Sequence, residues 1–260
     1  MLLKGKVAIV TGGGRGIGRA IARRFASEGA AVVIAARTAE QLASTAKEID
    51  SSGGRVAWAT ADVSRETDAA RIMETARKTF GGVDILVNNA GIYGPVKPIE
   101  EITVGEWDSV IAVHLRGGFL MTRVTLPEMY SRGAGAILNI SSVAARAAIP
   151  WGAAYATAKA GLLALTRTTA AEGAQRGVRV NALLPGPVPE TEMSQELGQA
   201  LSARTGIDAE VMFKDFLKGI LQGRPQTADE IAAAALFLVS DQASAITGQA
   251  LSVDGGMSFC

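Results

Sequence analysis

The chain has 260 residues, and its 26 Lys and Arg nearly cancel its 25 Asp and Glu, leaving a formal net charge of +1. That balance argues against nucleic acid as the main partner, because phosphate binding needs a concentrated basic surface. With one histidine, His114, and one cysteine, Cys260, neither an intrachain disulfide nor a Cys/His metal site can form within one chain, and any Ser-His-Asp mechanism would run through His114 alone. What remains is chemistry by hydroxyls, lysine, carboxylates or a bound cofactor, with no metal. Residues 1–4 are followed at once by a strand-like run, with no apolar core of a signal peptide. The longest apolar run, 231–239, falls well short of the roughly 20 residues that span a bilayer. A cytoplasmic protein with no membrane association is therefore expected.

In chain order, strand candidates lie at 7–10, 31–35, 56–59, 85–87, 136–140, 178–184 and 249–253. Most are continuously apolar rather than alternating, as in parallel strands buried on both faces. Helical stretches lie between them, and Thr103-x-x-Glu106 and Thr227-x-x-Glu230 are capping boxes that mark two helix starts. This rhythm predicts a doubly wound α/β fold, a parallel sheet with helices on both faces, in one domain over 1–260. The least regular part, about 189–224, follows Pro185, Pro187 and Pro189 and reads as a substrate lid.

The first strand runs into Thr11-Gly12-Gly13-Gly14-Arg15-Gly16-Ile17-Gly18 and then a helix. Glycines at such a turn let the backbone approach a pyrophosphate, and the free N–H groups of the helix hold it. The spacing is G-x-x-x-G-x-G through Gly12, Gly16 and Gly18; as a bare pattern it marks only a glycine-rich turn, and its place between strand and helix makes it a dinucleotide site. The second strand ends at Arg37, with no acid between Ala30 and Arg37 to bind a ribose 2′-hydroxyl. Arg37 and Arg15 together suit a 2′-phosphate, so NADP(H) is favoured over NAD(H). Asp62-Val63 ends the third strand, where Asp62 could contact the adenine, and Asn88-Asn89-Ala90-Gly91 ends the fourth, at the cofactor crevice.

The fifth strand leads to Ser142, and a helix expected from about Ala153 carries Tyr155 and Lys159 on one face, at i and i+4. An ammonium beside a phenol favours the phenolate, so a lowered Tyr155 pKa is expected. Tyr155 would exchange a proton with a carbonyl or alcohol oxygen that Ser142 also binds, and a nicotinamide would carry the hydride. Tyr-x-x-x-Lys by itself is frequent by chance. Its weight here comes from Ser142, the glycine loop and their order.

These segments, with Pro185-Gly186, Ile246-Thr247-Gly248 and Val253-Asp254-Gly255-Gly256, resemble the short-chain dehydrogenase/reductase family from Lys6 to Gly256. The resemblance implies a seven-stranded Rossmann sheet, an NAD(P)-dependent oxidoreductase and a homotetramer. It also implies that Lys159 binds the nicotinamide ribose as well as tuning Tyr155, that Asn89, Ala90 and Gly91 border the cofactor, and that Val188 binds the carboxamide. Two departures stand out. The family usually has Asn in a V-N-L setting, tied to a proton relay, where this chain has Val113-His114-Leu115; His114 is either a relay element or a buried spacer. After Pro185-Gly186, Thr191 comes one residue later than the family pattern, which puts its cofactor contact in question.

A substrate would lie among 92–96, 143–151 and the lid, with Tyr93, Ile149, Trp151, Met193, Met212, Phe213 and Phe216 as an apolar lining or as the lid's own core. The leading function is an NADP(H)-dependent carbonyl reductase or secondary alcohol dehydrogenase acting on a small molecule. A 3-oxoacyl-carrier-protein reductase is the alternative, with Arg176 and Arg132 as a partial basic contact for an acidic carrier. A non-catalytic dinucleotide-binding regulator is a third reading, against which Ser142, Tyr155 and Lys159 count together.

Overall fold

The computed structural model describes residues 1–258; Cys260, the one cysteine, lies outside the described residues. Seven parallel strands form one sheet in the order β3-β2-β1-β4-β5-β6-β7. They are β1 (Val7–Thr11), β2 (Ala31–Ala36), β3 (Arg55–Thr60), β4 (Ile85–Asn88), β5 (Gly135–Ile140), β6 (Val178–Pro185) and β7 (Ala250–Val253). Each predicted strand is present, with ends shifted by at most one residue. The continuous apolar runs have a direct cause. Ala8 and Val10 pack into one hydrophobic cluster and Ile9 into another, so alternate residues are buried on opposite faces. One cluster joins the sheet to α1 (Gly16–Ser27), α2 (Ala39–Ser51) and α9 (Ala228–Val239), through Ile21, Phe25, Leu42 and Ile231. The other joins it to α3 (Glu66–Phe80) and α5 (Gly117–Arg132), through Ile72, Met121 and Met129. Edge strands β3 and β7 are the exceptions, with Trp58 43 % and Leu251 40 % exposed.

Both predicted capping boxes form, at the starts of α4 (Val104–Ile111) and α9. One turn of π-helix, Ala112–Arg116, separates α4 from α5 and carries His114. Such a wide turn aims side chains in directions a regular helix does not, and is invisible to a periodicity reading. α6 (Ala153–Gly173) begins at the expected residue. The irregular segment before α9 holds α7 (Glu192–Thr205) and α8 (Ala209–Leu217).

The strand order reverses between β1 and β4. There the connections leave β1 and β4 to opposite sides and open a crevice at the carboxyl ends of the strands. No helix among the described residues is long and apolar enough to cross a membrane.

Candidate active site

The crevice at this switch point has a volume of about 440 Å³. Its floor is the glycine loop, with Gly12, Arg15, Gly16, Ile17 and Gly18. Arg37, Asp62 and Val63 line the β2–β3 side, and Asn89, Ala90 and Gly91 follow β4. Ser142, Tyr155, Lys159, Pro185, Gly186 and Val188 close the other side. Thus residues from seven separate segments meet in one cavity. Of the predicted catalytic and cofactor-binding residues, His114 alone is outside that lining: it is buried, 2 % exposed, behind Gly91.

The loop geometry fits a dinucleotide. A Cβ on Gly18 would lie 2.2 Å from the Gly12 carbonyl oxygen and 2.4 Å from Asn89 Nδ2, so only glycine allows this approach. Asn89 donates through Nδ2 to the carbonyl oxygens of Thr11 (2.9 Å) and Gly12 (3.3 Å), clamping the loop to the end of β4. Thr11 Oγ1 accepts from the backbone N–H groups of Asn89 and Ala90. The amino end of α1 has no side-chain cap and no acid in its first turn, which leaves its N–H groups and dipole for an anion. Asn88 has another task. It points into the core, bonding Asn139 (2.9 Å) and Thr122 (3.2 Å), because neighbouring residues of a strand face opposite ways.

Arg37 is exposed at the end of β2. Burial works against the Asp62 carboxylate, but hydrogen bonds from the Ser64 side chain and backbone, with the charges of Arg37 and Arg65, hold its pKa below the ordinary value. Arg15 forms an ion pair with Glu192, the first residue of α7. Glu192 lines the crevice and is a residue that the sequence reading did not single out; an acid at a helix start is too common to signal a site. Thr191, one position late, still lines the crevice. Its hydroxyl donates to the Val188 carbonyl oxygen at 2.8 Å and accepts from Ser194 N–H, capping α7. The extra residue is absorbed before the helix starts.

At the chemical end, the Tyr155 hydroxyl is hydrogen bonded with Ser142. Lys159 Nζ sits 5.4 Å from the centre of the Tyr155 ring and donates to the Ile140 carbonyl oxygen at 2.8 Å. Lys159 is buried, and burial pulls its pKa down to about 7. Burial likewise pushes the Tyr155 phenol up to about 12, against the lowering effect of the Ser142 hydrogen bond. The expected fall in the Tyr155 pKa is therefore reversed: desolvation outweighs the Ser142 hydrogen bond, and burial disfavours the Lys159 ammonium itself. Of the proposed substrate lining, Tyr93 stacks on Tyr155 and Met193 borders the crevice. Trp151 has φ +62°, alone among described non-glycine residues in the left-handed region, and lies under the Arg204 guanidinium. Met212 packs against α7, its sulfur accepting from Thr205, and Phe216 is exposed.

A family model described as Enoyl-(Acyl carrier protein) reductase matches residues 12–258. The chain belongs to the short-chain dehydrogenase/reductase family. It is accordingly an oxidoreductase, and the non-catalytic regulator is set aside. This family member is similar to 2-(S)-hydroxypropyl-CoM dehydrogenase 3 of Xanthobacter autotrophicus, 41 % identical over 98 % of this chain and 97 % of the relative. Its fold is similar to an NAD+-bound xylitol dehydrogenase, with TM-score 0.94 and 30 % identity, covering 98 % of this chain and 100 % of that one. It is equally similar to an actinorhodin polyketide ketoreductase crystallised with NADPH, with TM-score 0.93 and 34 % identity over 97 % of both chains. Solved neighbours thus carry either dinucleotide.

Proposed function

We propose that the protein interconverts a ketone or aldehyde with an alcohol using NADP(H), with Tyr155 as the acid/base. The observation that carries this reading is the convergence of the Ser142 and Tyr155 hydroxyls, with Lys159 below the phenol ring, on the crevice of the glycine loop. The nicotinamide, when bound, supplies or accepts the hydride. Gly12, Gly16, Ile17 and Gly18 would hold the pyrophosphate, Asp62 and Val63 the adenine, and Val188 with Pro185 and Gly186 the carboxamide end. Arg37 and Arg15 would hold the 2′-phosphate, and the absence of an acid at the end of β2 supports that preference.

Tyr155 gives its proton to the carbonyl oxygen, and Ser142 binds the same oxygen as negative charge develops. A phenol held at about 12 is protonated near neutral pH, the form that reduction needs. Alcohol oxidation needs the phenolate, so its rate should climb as pH rises, while reduction should not. The test is a panel of ketones and alcohols with both cofactors across pH. Tyr155→Phe should bind NADPH and lose at least about 100-fold in kcat. Near-normal turnover by that variant would sink the assignment.

The acyl-carrier reading receives less support. Arg132 ends α5 and Arg176 follows α6, and these helices return to the amino ends of β5 and β6. Within one chain they therefore lie at the end of the sheet opposite the crevice. Arg132 is also tied to Glu128, and Arg176 stacks on Tyr130. A homotetramer is part of the proposal, supported by exposed Phe119 on α5 and by Phe237 and Leu251 on α9 and β7.

A further inference from the structure

The Tyr155 ring is enclosed by two other rings. Tyr93, from the loop after β4, stacks on it with centroids 4.8 Å apart and planes 25° from parallel. His114, from the π turn, meets it edge-on at 5.4 Å and 87°. The His and the Tyr are also linked through one residue of backbone. His114 Nε2 lies 3.1 Å from Ile92 N and 2.6 Å from Ile92 O, and Tyr93 is the next residue. A single ring nitrogen serves only one of these at a time: it accepts from the Ile92 N–H or donates to the Ile92 carbonyl. His114 Nδ1 has no partner and is buried. The fit above it is close, since a Cβ on Gly91 would lie 2.3 Å from His114 Cε1.

Taking Tyr155 as the acid/base of the preceding section, we propose that Tyr93 is a positioning residue for the Tyr155 phenol and that His114 acts on the same phenol by anchoring Tyr93's loop. Stacking fixes the plane of the Tyr155 ring and covers one of its faces, leaving the other edge for Ser142 and an incoming oxygen. The groups that face Tyr155 come from four elements: Lys159 on its own helix, Ser142 after β5, His114 in the π turn and Tyr93 after β4. His114 is desolvated and beside Lys159, and its pKa falls to about 3. It is neutral in working conditions, so its contribution is a contact to Ile92 and a ring edge rather than a charge. The same anchoring could be supplied by an amide, whose oxygen and nitrogen serve the Ile92 N–H and carbonyl together.

The test uses two readouts. The first is kcat with NADPH on two unrelated probes, ethyl acetoacetate and cyclohexanone. The second is the phenolate absorbance titration of the cofactor-free protein, which needs no substrate. The chain has only three tyrosines, so subtraction against Tyr155→Phe isolates the phenol of interest. Tyr93→Leu should lower kcat about tenfold on both probes and leave NADPH affinity within about twofold. It should also move the Tyr155 midpoint down toward 10, because the covering ring is gone. Tyr93→Phe keeps the ring and should retain kcat within about threefold. His114→Ala should reproduce the Tyr93→Leu loss, and the double variant should be no worse than either single one. His114→Asn should rescue most of it.

Unchanged kcat and midpoint in Tyr93→Leu overturn the proposal. So do a tenfold loss in Tyr93→Phe, multiplying losses in the double variant, or an effect confined to the KM of one probe. Should Tyr93→Leu fail to fold, Tyr93→Phe and the His114 pair still decide. If Tyr155→Phe is inactive while these outcomes occur, the acid/base assignment stands and only the positioning role fails.

Discussion

Single residues at this site are governed by burial more than by charge pairing. Lys159 has its amine in the interior, hydrogen bonded to a backbone carbonyl, with its pKa near 7. The Tyr155 phenol is pushed up and His114 down by the same desolvation. For stability the signs follow directly. His114 is neutral in the folded chain down to about pH 3 but takes a proton near 6.5 when unfolded. The unfolded state therefore binds more protons between these values, and the folded state loses stability as pH falls through that window. Unfolding midpoints of wild type and His114→Asn, compared at pH 7 and pH 4, should show the variant gaining on wild type in acid. Equal pH dependence would show that His114 is protonated without cost. The sequence placed His114 at an unusual position, but its partner, Ile92, is distant in the chain and no local spacing reveals it. Ser142, Tyr155 and Lys159 could be proposed as a set from the sequence because hydrogen-bonding chemistry restricts which side chains can do the proposed work.

At the scale of elements, the most informative contact is between the glycine loop and the first turn of α7. Arg15 pairs with Glu192, while Gly16 packs close to Thr191. A guanidinium bound to a carboxylate is less available to a phosphate. Glu192→Gln should lower the KM for NADPH by about two- to fivefold, the range of an exposed ion pair, with a smaller change for NADH. Equal changes for both cofactors would place Glu192 outside the choice. Strands, helices and both capping boxes were legible because their patterns are local. The π turn was not, and neither was the left-handed Trp151, since each is a backbone distortion imposed by packing. Thr227→Ala should destabilise the fold by about 1 kcal/mol, because it removes the acceptor for Glu230 N–H at the start of α9. A denaturation midpoint equal to wild type would count against that cap.

Over the whole molecule, strand order decides where the chemistry can occur. The reversal between β1 and β4 brings the glycine loop, the β4 end and the β5 end to one crevice. A dinucleotide bound across these segments couples to global stability. NADPH at about 100 times its Kd should stabilise the chain by about 2.7 kcal/mol. That is roughly 5–10 °C in Tm for a domain of this size. At equal concentrations the shift with NADPH should exceed that with NADH, and Arg37→Ala should narrow the gap; a larger shift with NADH would reverse the proposed preference.

The sequence by itself determined the layered α/β fold and offered the glycine loop and the Ser142, Tyr155 and Lys159 set as candidates, because hydrophobic period, glycine requirements and side-chain chemistry are all written locally. The tertiary structure alone decided the ionisation of Tyr155 and Lys159, the placement of His114 behind Gly91 and the pairing of Arg15 with Glu192. Each of these depends on how much water is excluded and on which distant segment comes to lie alongside, and both are set only when the layers close.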